Sequence, residues 1–100
     1  MTNDGVEKEA KRKIIGILKV LFPGAKIYLY GSRARGDFRE YSDIDLAIDA
    51  GKESKRLNIG EAKSVMENLS MPYKVDIVDL NHISEHMHQV ITKEGILWNE

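Results

Sequence analysis

Apolar residues recur at three- and four-residue steps in three segments of the chain, and this periodicity predicts three amphipathic helices. The first begins near Asp4 and Glu7, which are spaced for a capping box, and it ends at Pro23. The second opens on Asn58 and Glu61, which have the same spacing. The predicted helices cover residues 5–22, 58–69 and 83–94.

Three shorter segments are rich in β-branched and aromatic residues and predict strands. A polar, glycine-containing loop, residues 31–42, separates the first two, and a charged connection, residues 50–57, follows the second. Residues 96–98 either add a short edge strand or pack as a tail. This order predicts an α+β fold, in which a small mixed β-sheet carries the helices on one face. The predicted strands cover residues 26–30, 43–48 and 74–79.

Composition restricts the kind of protein this can be. One hundred residues, 42% hydrophobic and 31% charged, predict a single domain, residues 1–100, with a limited core. The net charge of -1 provides no basic face, so we expect no nucleic-acid partner. No stretch approaches the roughly 20 apolar residues of a membrane span, and the apolar run at 11–22 is interrupted by Lys19. We therefore expect a cytoplasmic protein without a membrane partner.

The second predicted strand carries two acids, Asp43 and Asp45, in an otherwise apolar run. A buried strand rarely holds acids unless something cationic neutralises them. Side chains two residues apart share a face of a strand, and their Cα atoms lie about 6.6 Å apart, so they can converge on two ions about 3.5–4 Å apart. Gly31 and Ser32, just upstream, suit close backbone approach to phosphate. The pattern indicates a site for a metal-bound nucleoside triphosphate.

The third predicted strand offers a further carboxylate, from either Asp76 or Asp79. These two residues have opposite parity, so only one of them can face the acids of the second strand. Asp76 lies mid-strand between two apolar residues that should point into the core, which favours it over Asp79 at the strand end. Asp49 shares the parity of Asp45 but lies about 13 Å beyond it, too far for the same ions.

The segments GSRARG, SDIDLAI and KVDIVD together resemble the nucleotidyltransferase superfamily of DNA polymerase β, and most closely its minimal nucleotidyltransferases. The resemblance covers nearly the whole chain. It implies that Gly31 and Ser32 hold the nucleotide phosphates. It also implies that Asp43, Asp45 and Asp76 are catalytic residues that bind two Mg²⁺ ions, for which Mn²⁺ can substitute.

Several other residues have both a functional and a simpler interpretation. Arg33 and Arg35 could neutralise phosphate charge as part of the nucleotide site, although loop arginines are commonly only solvated. His82 and His86 have the i,i+4 spacing of a helical metal pair, but no third ligand is evident, which favours solvated histidines. Trp98 is expected to cover the core or to contact a partner.

The resemblance further implies transfer of AMP from ATP to a hydroxyl, that of a tyrosine on a helical HEPN-type toxin, with this chain as the antitoxin. We expect no room for the acceptor-binding domain of larger superfamily members, so the acceptor would be bound in a shallow site or presented by a partner. We expect that partner to dock on residues 33–41 and 50–57, which should border the site. Two alternatives remain: a non-catalytic, nucleotide-binding antitoxin that neutralises its partner by contact, and nucleotidyl transfer to a small molecule.

Overall fold

The computed structural model describes residues 4–99, so the ends of the predicted domain, residues 1–3 and 100, lie outside it. A 3₁₀ turn, Leu80–His82, joins the third strand to the last helix. No helix within the described residues is long and apolar enough to cross a membrane. In chain order the elements are α1 (Lys8–Leu21), β1 (Lys26–Tyr30), α2 (Ser32–Arg35), β2 (Ile44–Asp49), α3 (Ile59–Glu67), β3 (Val75–Asp79), α4 (Glu85–Glu94) and β4 (Ile96–Leu97).

The four strands form one mixed sheet in the order β3-β2-β1-β4. β1 pairs antiparallel with both β2 and β4, whereas β2 and β3 are parallel. The parallel pair follows from α3, which returns the chain to the end of the sheet where β2 began. The predicted α+β fold with a small mixed sheet is confirmed, and residues 96–97 form the edge strand rather than a tail.

The two faces of the sheet bury different apolar clusters. On one face, residues such as Leu29 and Leu46 pack with α1 and α3. On the other face, Tyr30 and Ala47 pack with Ile91 of α4. The expectation that the helices share one face therefore holds for α1 and α3, while α4 lies on the opposite face. The 3₁₀ turn after β3 contributes Leu80 to this second cluster and so leads the chain to that face.

The start of α1 differs from the capping box expected there. The helix begins at Lys8, and its N-cap residue, Glu7, makes no side-chain capping bond. Asp4 instead accepts hydrogen bonds from the backbone N–H of Val6 at 3.0 Å and from Trp98 Nε1 at 2.9 Å. The second bond ties the beginning of the described chain to its end, and it satisfies the indole of a tryptophan that is buried as a core cover.

The starts of the other two long helices follow from their own sequences. Asn58 Oδ1 accepts from the backbone N–H of Glu61 at 3.0 Å, so Asn58 caps the helix as predicted. The Glu61 carboxylate accepts from the side-chain amide of Asn58 at 3.3 Å, in place of the backbone N–H that a capping box uses. α4 begins at Glu85 because Ser84 Oγ accepts from the backbone N–H of Met87 at 3.2 Å.

Candidate active site

Three aspartates lie on the same face of two neighbouring strands. Asp45 of β2 is in direct register with Asp76 of β3. Asp43 precedes β2, which begins at Ile44, and has the same parity as Asp45. On the other side, Tyr30 of β1 is in register with Asp45. The sheet therefore brings three carboxylates and a phenol together at one end of β2.

Two other aspartates of the strands are used for structure. Asp79 is only 5% exposed, and its carboxylate accepts from the backbone N–H groups of Leu57 and Asn81 at 2.9 and 3.2 Å and bonds His82 Nδ1 at 2.9 Å. Asp49 accepts from the side-chain amide of Asn81 at 2.9 Å. Asp79 thus holds the 3₁₀ turn and the segment before α3, and it occupies Nδ1 of His82.

The electrostatics of the cluster oppose further negative charge. Burial, followed by the nearby carboxylates of Asp76 and Asp43, raises the pKa of Asp45 from 3.8 to about 6. Burial and then Asp45 and Asp76 raise the pKa of Tyr30 from 10.0 to about 12. A cation bound among these groups would offset the repulsion that adds to burial in both pKa shifts.

Gly31 makes room for the Asp45 carboxylate. Its φ is +78°, and a Cβ placed on it would overlap Asp45 Oδ2. The four-residue helix α2 follows at once, where a loop was expected, because the Gly31 carbonyl accepts from the N–H groups of Ala34 and Arg35 at 3.1 and 3.0 Å. Gly31 therefore lies directly against Asp45, and Ser32 follows it as the first residue of α2.

The predicted nucleotide role of Arg33 is wrong, because the residue is only 2% exposed and its donors are occupied. Its guanidinium donates to three backbone carbonyls at 2.9–3.3 Å and lies against two aromatic rings. It is thus a buried tie between the N-terminal segment and the loop before β2. The carbonyls belong to Asp4, Glu40 and Ser42, and the rings to Phe38 and Tyr73.

Arg35, by contrast, remains at the edge of the carboxylate cluster. It is half-exposed and pairs with Glu94 at 3.0 Å and with Asp37 at 3.3 Å. Its positive charge partly offsets the rise in the pKa of Asp45. Of the two arginines, only Arg35 is accessible to a nucleotide.

Three residues near the cluster were not assigned to it from sequence. Lys63 Nζ of α3 lies 3.4 Å from Asp76 Oδ1, and Glu94 of α4 lies close enough to raise the pKa of both Asp45 and Tyr30. Both arrive by tertiary contact, without a local sequence signal. Tyr30 could have been found, because it alternates with a core residue of β1 and so must share the carboxylate face.

The donor atoms of the cluster fit a hard divalent cation, since Mg²⁺ prefers carboxylate oxygens. As the side chains stand, however, no three acidic or imidazole groups within residues 4–99 are grouped closely enough to hold an ion. Lys63 Nζ pairs with Asp76, so a cation that binds all three carboxylates would have to displace this ammonium group.

The expected docking segments lie at different ends of the sheet. Residues 33–41 border the cluster, since they run from α2 towards Asp43. Residues 50–57 follow the far end of β2, where Leu57 is tied to Asp79, about 10 Å along the strand from the level of Asp76. The expectation that residues 50–57 border the site is therefore wrong.

Residues 12–99 match the family described as polymerase beta, nucleotidyltransferase. The chain belongs to this nucleotidyltransferase family. MntA of Haemophilus influenzae, which is named as a protein adenylyltransferase, is 31% identical over 84 residues, which are 84% of this chain and 74% of that protein. A solved toxin-antitoxin structure with AMP-PNP has a TM-score of 0.71 and 28% identity, over 89% of this chain and 72% of that one. A solved MntA-HepT toxin-antitoxin structure has a TM-score of 0.58 and 25% identity, over 93% and 72%.

Proposed function

We propose that this nucleotidyltransferase transfers AMP from ATP to a hydroxyl side chain of a protein toxin, and that it thereby acts as an antitoxin. The observation that carries the proposal is the position of Asp45, which is in register with Asp76 and packs against the Cα of Gly31. The printed names of MntA and of the toxin-antitoxin complexes support the choice of protein as acceptor and of a toxin as partner.

Each residue of the cluster has a proposed role. Asp43, Asp45 and Asp76 would hold Mg²⁺ or Mn²⁺, which when bound neutralises the triphosphate and stabilises attacking and leaving oxygens. Gly31 and Ser32 would receive the phosphates, because Gly31 holds this backbone directly beside the Asp45 carboxylate, where a metal-bound triphosphate would lie.

Arg35 supplies positive charge at the edge of the cluster. The acceptor hydroxyl oxygen bonds to the α-phosphorus as the bond to pyrophosphate breaks, and the hydroxyl proton passes through the carboxylate cluster to solvent. The products are the AMP ester of the acceptor and free pyrophosphate.

The acceptor that we propose is a tyrosine of a helical HEPN-type toxin. Holding two reactants in near-attack geometry supplies much of the rate of a transfer reaction, and a docked protein can hold its own hydroxyl there. The segment 33–41 offers a docking surface beside the cluster, because Arg39 is exposed and Tyr41 is 87% exposed. Charge at this surface would steer association.

The test uses ATP labelled at the α-phosphate, Mg²⁺, the purified chain and a HEPN-type toxin encoded beside it. We expect label on the toxin, an intact-mass increase of one or more AMP groups, and loss of toxin activity as label is incorporated. Asp45→Asn should abolish labelling. Arg39→Glu should slow it without weakening ATP binding, whereas Arg56→Glu, in the segment 50–57, serves as a matched control with little effect.

Two outcomes would replace this function with one of the alternatives. An unmodified toxin that is still inhibited by the Asp45→Asn protein would indicate neutralisation by contact. Label found only on a small molecule from a cell extract would indicate a small-molecule acceptor.

A further inference from the structure

Lys63 contacts the candidate metal ligands from the opposite side of the sheet. It lies on α3, which packs on the face away from the carboxylates, yet its Nζ lies 3.4 Å from Asp76 Oδ1. This contact is possible because β3 is an edge strand, so the lysine side chain can pass the end of the sheet. The two side chains are 45% and 42% exposed, and an ion pair so exposed contributes little to stability.

The pair therefore affects which groups Asp76 can bind, rather than the stability of the fold. Arg35, the other cation beside the cluster, already pairs with Glu94 and Asp37. One oxygen of Asp76 thus already has a cationic partner, while Asp76 stays in register with Asp45. Within residues 4–99 no three acidic or imidazole side chains are grouped closely enough to hold an ion.

We propose that Lys63 is a positioning residue that pairs with Asp76 in the free protein and is displaced from it when a divalent cation binds. The inference rests on the proposed function, because it takes Asp43, Asp45 and Asp76 as the metal ligands. A cation must displace the ammonium group of Lys63 from Asp76 before the third carboxylate can join. Lys63 thus weakens cation binding and delays completion of the site.

The test is a titration with Mn²⁺ alone, in which the electron paramagnetic resonance signal of free Mn²⁺ measures how much of the ion remains unbound. Lys63→Met should bind Mn²⁺ about two- to fivefold more tightly than the unaltered protein, the range expected for an exposed ion pair. Lys63→Arg is the matched control, since arginine keeps the charge and can hold the carboxylate, and its affinity should not rise. The melting temperature in EDTA should be the same for all three proteins.

A double-mutant cycle separates this role from a general effect of charge. In the Asp76→Asn background, Lys63→Met should no longer change Mn²⁺ affinity. A gain that persists without Asp76 would overturn the proposal, as would an unchanged affinity in Lys63→Met alone. Weaker binding of Mg-ATP with unchanged Mn²⁺ affinity would also overturn it, because Lys63 would then be a phosphate ligand.

Asp45→Asn distinguishes this inference from the function on which it rests. If Mn²⁺ binds equally well without Asp45, the carboxylate cluster is not the metal site and the proposed function fails with it. If Mn²⁺ binding requires Asp45 but does not respond to Lys63, only the positioning role fails.

Discussion

The Asp45 carboxylate is partly buried, lies near the carboxylates of Asp76 and Asp43 and packs against the Cα of Gly31, so its negative charge is unfavourable. Burial and these neighbours raise its pKa from 3.8 to about 6. The carboxyl therefore ionises more readily in the unfolded chain than in the folded one. Its contribution to stability is fully present below about pH 4 and is lost as the pH rises through about 6.

Asp45→Asn should remove this pH dependence in metal-free buffer. Relative to the unaltered protein, the variant should gain about 1 kcal/mol in free energy of unfolding between pH 4 and pH 7, a figure reduced for the partial exposure of the group. Urea unfolding in EDTA at the two pH values measures the difference. If the free energy of unfolding depends on pH in the same way in both proteins, the pKa of Asp45 is not raised in the folded state.

Gly31→Ala can be compared with Gly24→Ala, because both glycines have φ near +78°. Both variants should lose about 1–2 kcal/mol of stability from the left-handed backbone. Only Gly31→Ala should also displace the Asp45 carboxylate, since the space around Gly24 is open. We therefore expect Gly31→Ala alone to lose Mn²⁺ and Mg-ATP binding by calorimetry. Equal binding by both variants would contradict the proposed packing of Gly31 against Asp45.

At the scale of elements, the segment from α2 to β2 is held in place by one buried side chain. The side chain of Arg33, in α2, donates to the backbone carbonyls of Glu40 and Ser42 just before β2. It also donates to the backbone carbonyl of Asp4, before α1. A turn in which Ser42 N–H donates to the Arg39 carbonyl at 3.0 Å closes the segment. Arg33 thus ties the segment that carries the proposed docking surface to the segment before α1.

Arg33→Met should destabilise the protein by about 2–4 kcal/mol, because it leaves several buried carbonyls without donors. Arg39→Met is the control: its side chain is exposed, and its cost should stay within about 0.5 kcal/mol. Urea unfolding measures both values, and hydrogen exchange should show faster opening of residues 37–43 in Arg33→Met alone. Equal stability of the two variants would contradict the role of Arg33 as a tie.

For the whole molecule, Mg-ATP should act as a ligand of the folded state only. Saturation at 100 times the dissociation constant would add about 2.7 kcal/mol of stability and raise the melting temperature. ATP with EDTA should raise it little, because the aspartates repel the bare triphosphate. Ser32→Ala should weaken the binding by about 1 kcal/mol, the contribution of a typical hydrogen bond.

The control for Ser32→Ala is Ser54→Ala, in the segment 50–57 at the far end of the sheet. That variant should bind Mg-ATP normally. A melting curve that does not respond to millimolar Mg-ATP would count against the nucleotide site as a whole.

The sequence by itself determined those features that depend on periodic or short-range relations. The apolar periods predicted α1, α3, α4 and the strands to within a few residues, because burial of one face is a local pattern. The spacing of Asn58 and Glu61 predicted a cap that forms. Strand parity showed that only one of Asp76 and Asp79 could face Asp45, and the apolar neighbours of Asp76 in the middle of the strand favoured that residue.

Only the tertiary structure decided which charged groups meet. Arg33 and Arg35 are equivalent in the sequence, yet one is buried among carbonyls and the other lies at the carboxylate cluster. Lys63 reaches Asp76 past the edge of the sheet, and α4 crosses to the face opposite α1. These contacts depend on how elements distant in the chain pack together, and no local periodicity records that packing.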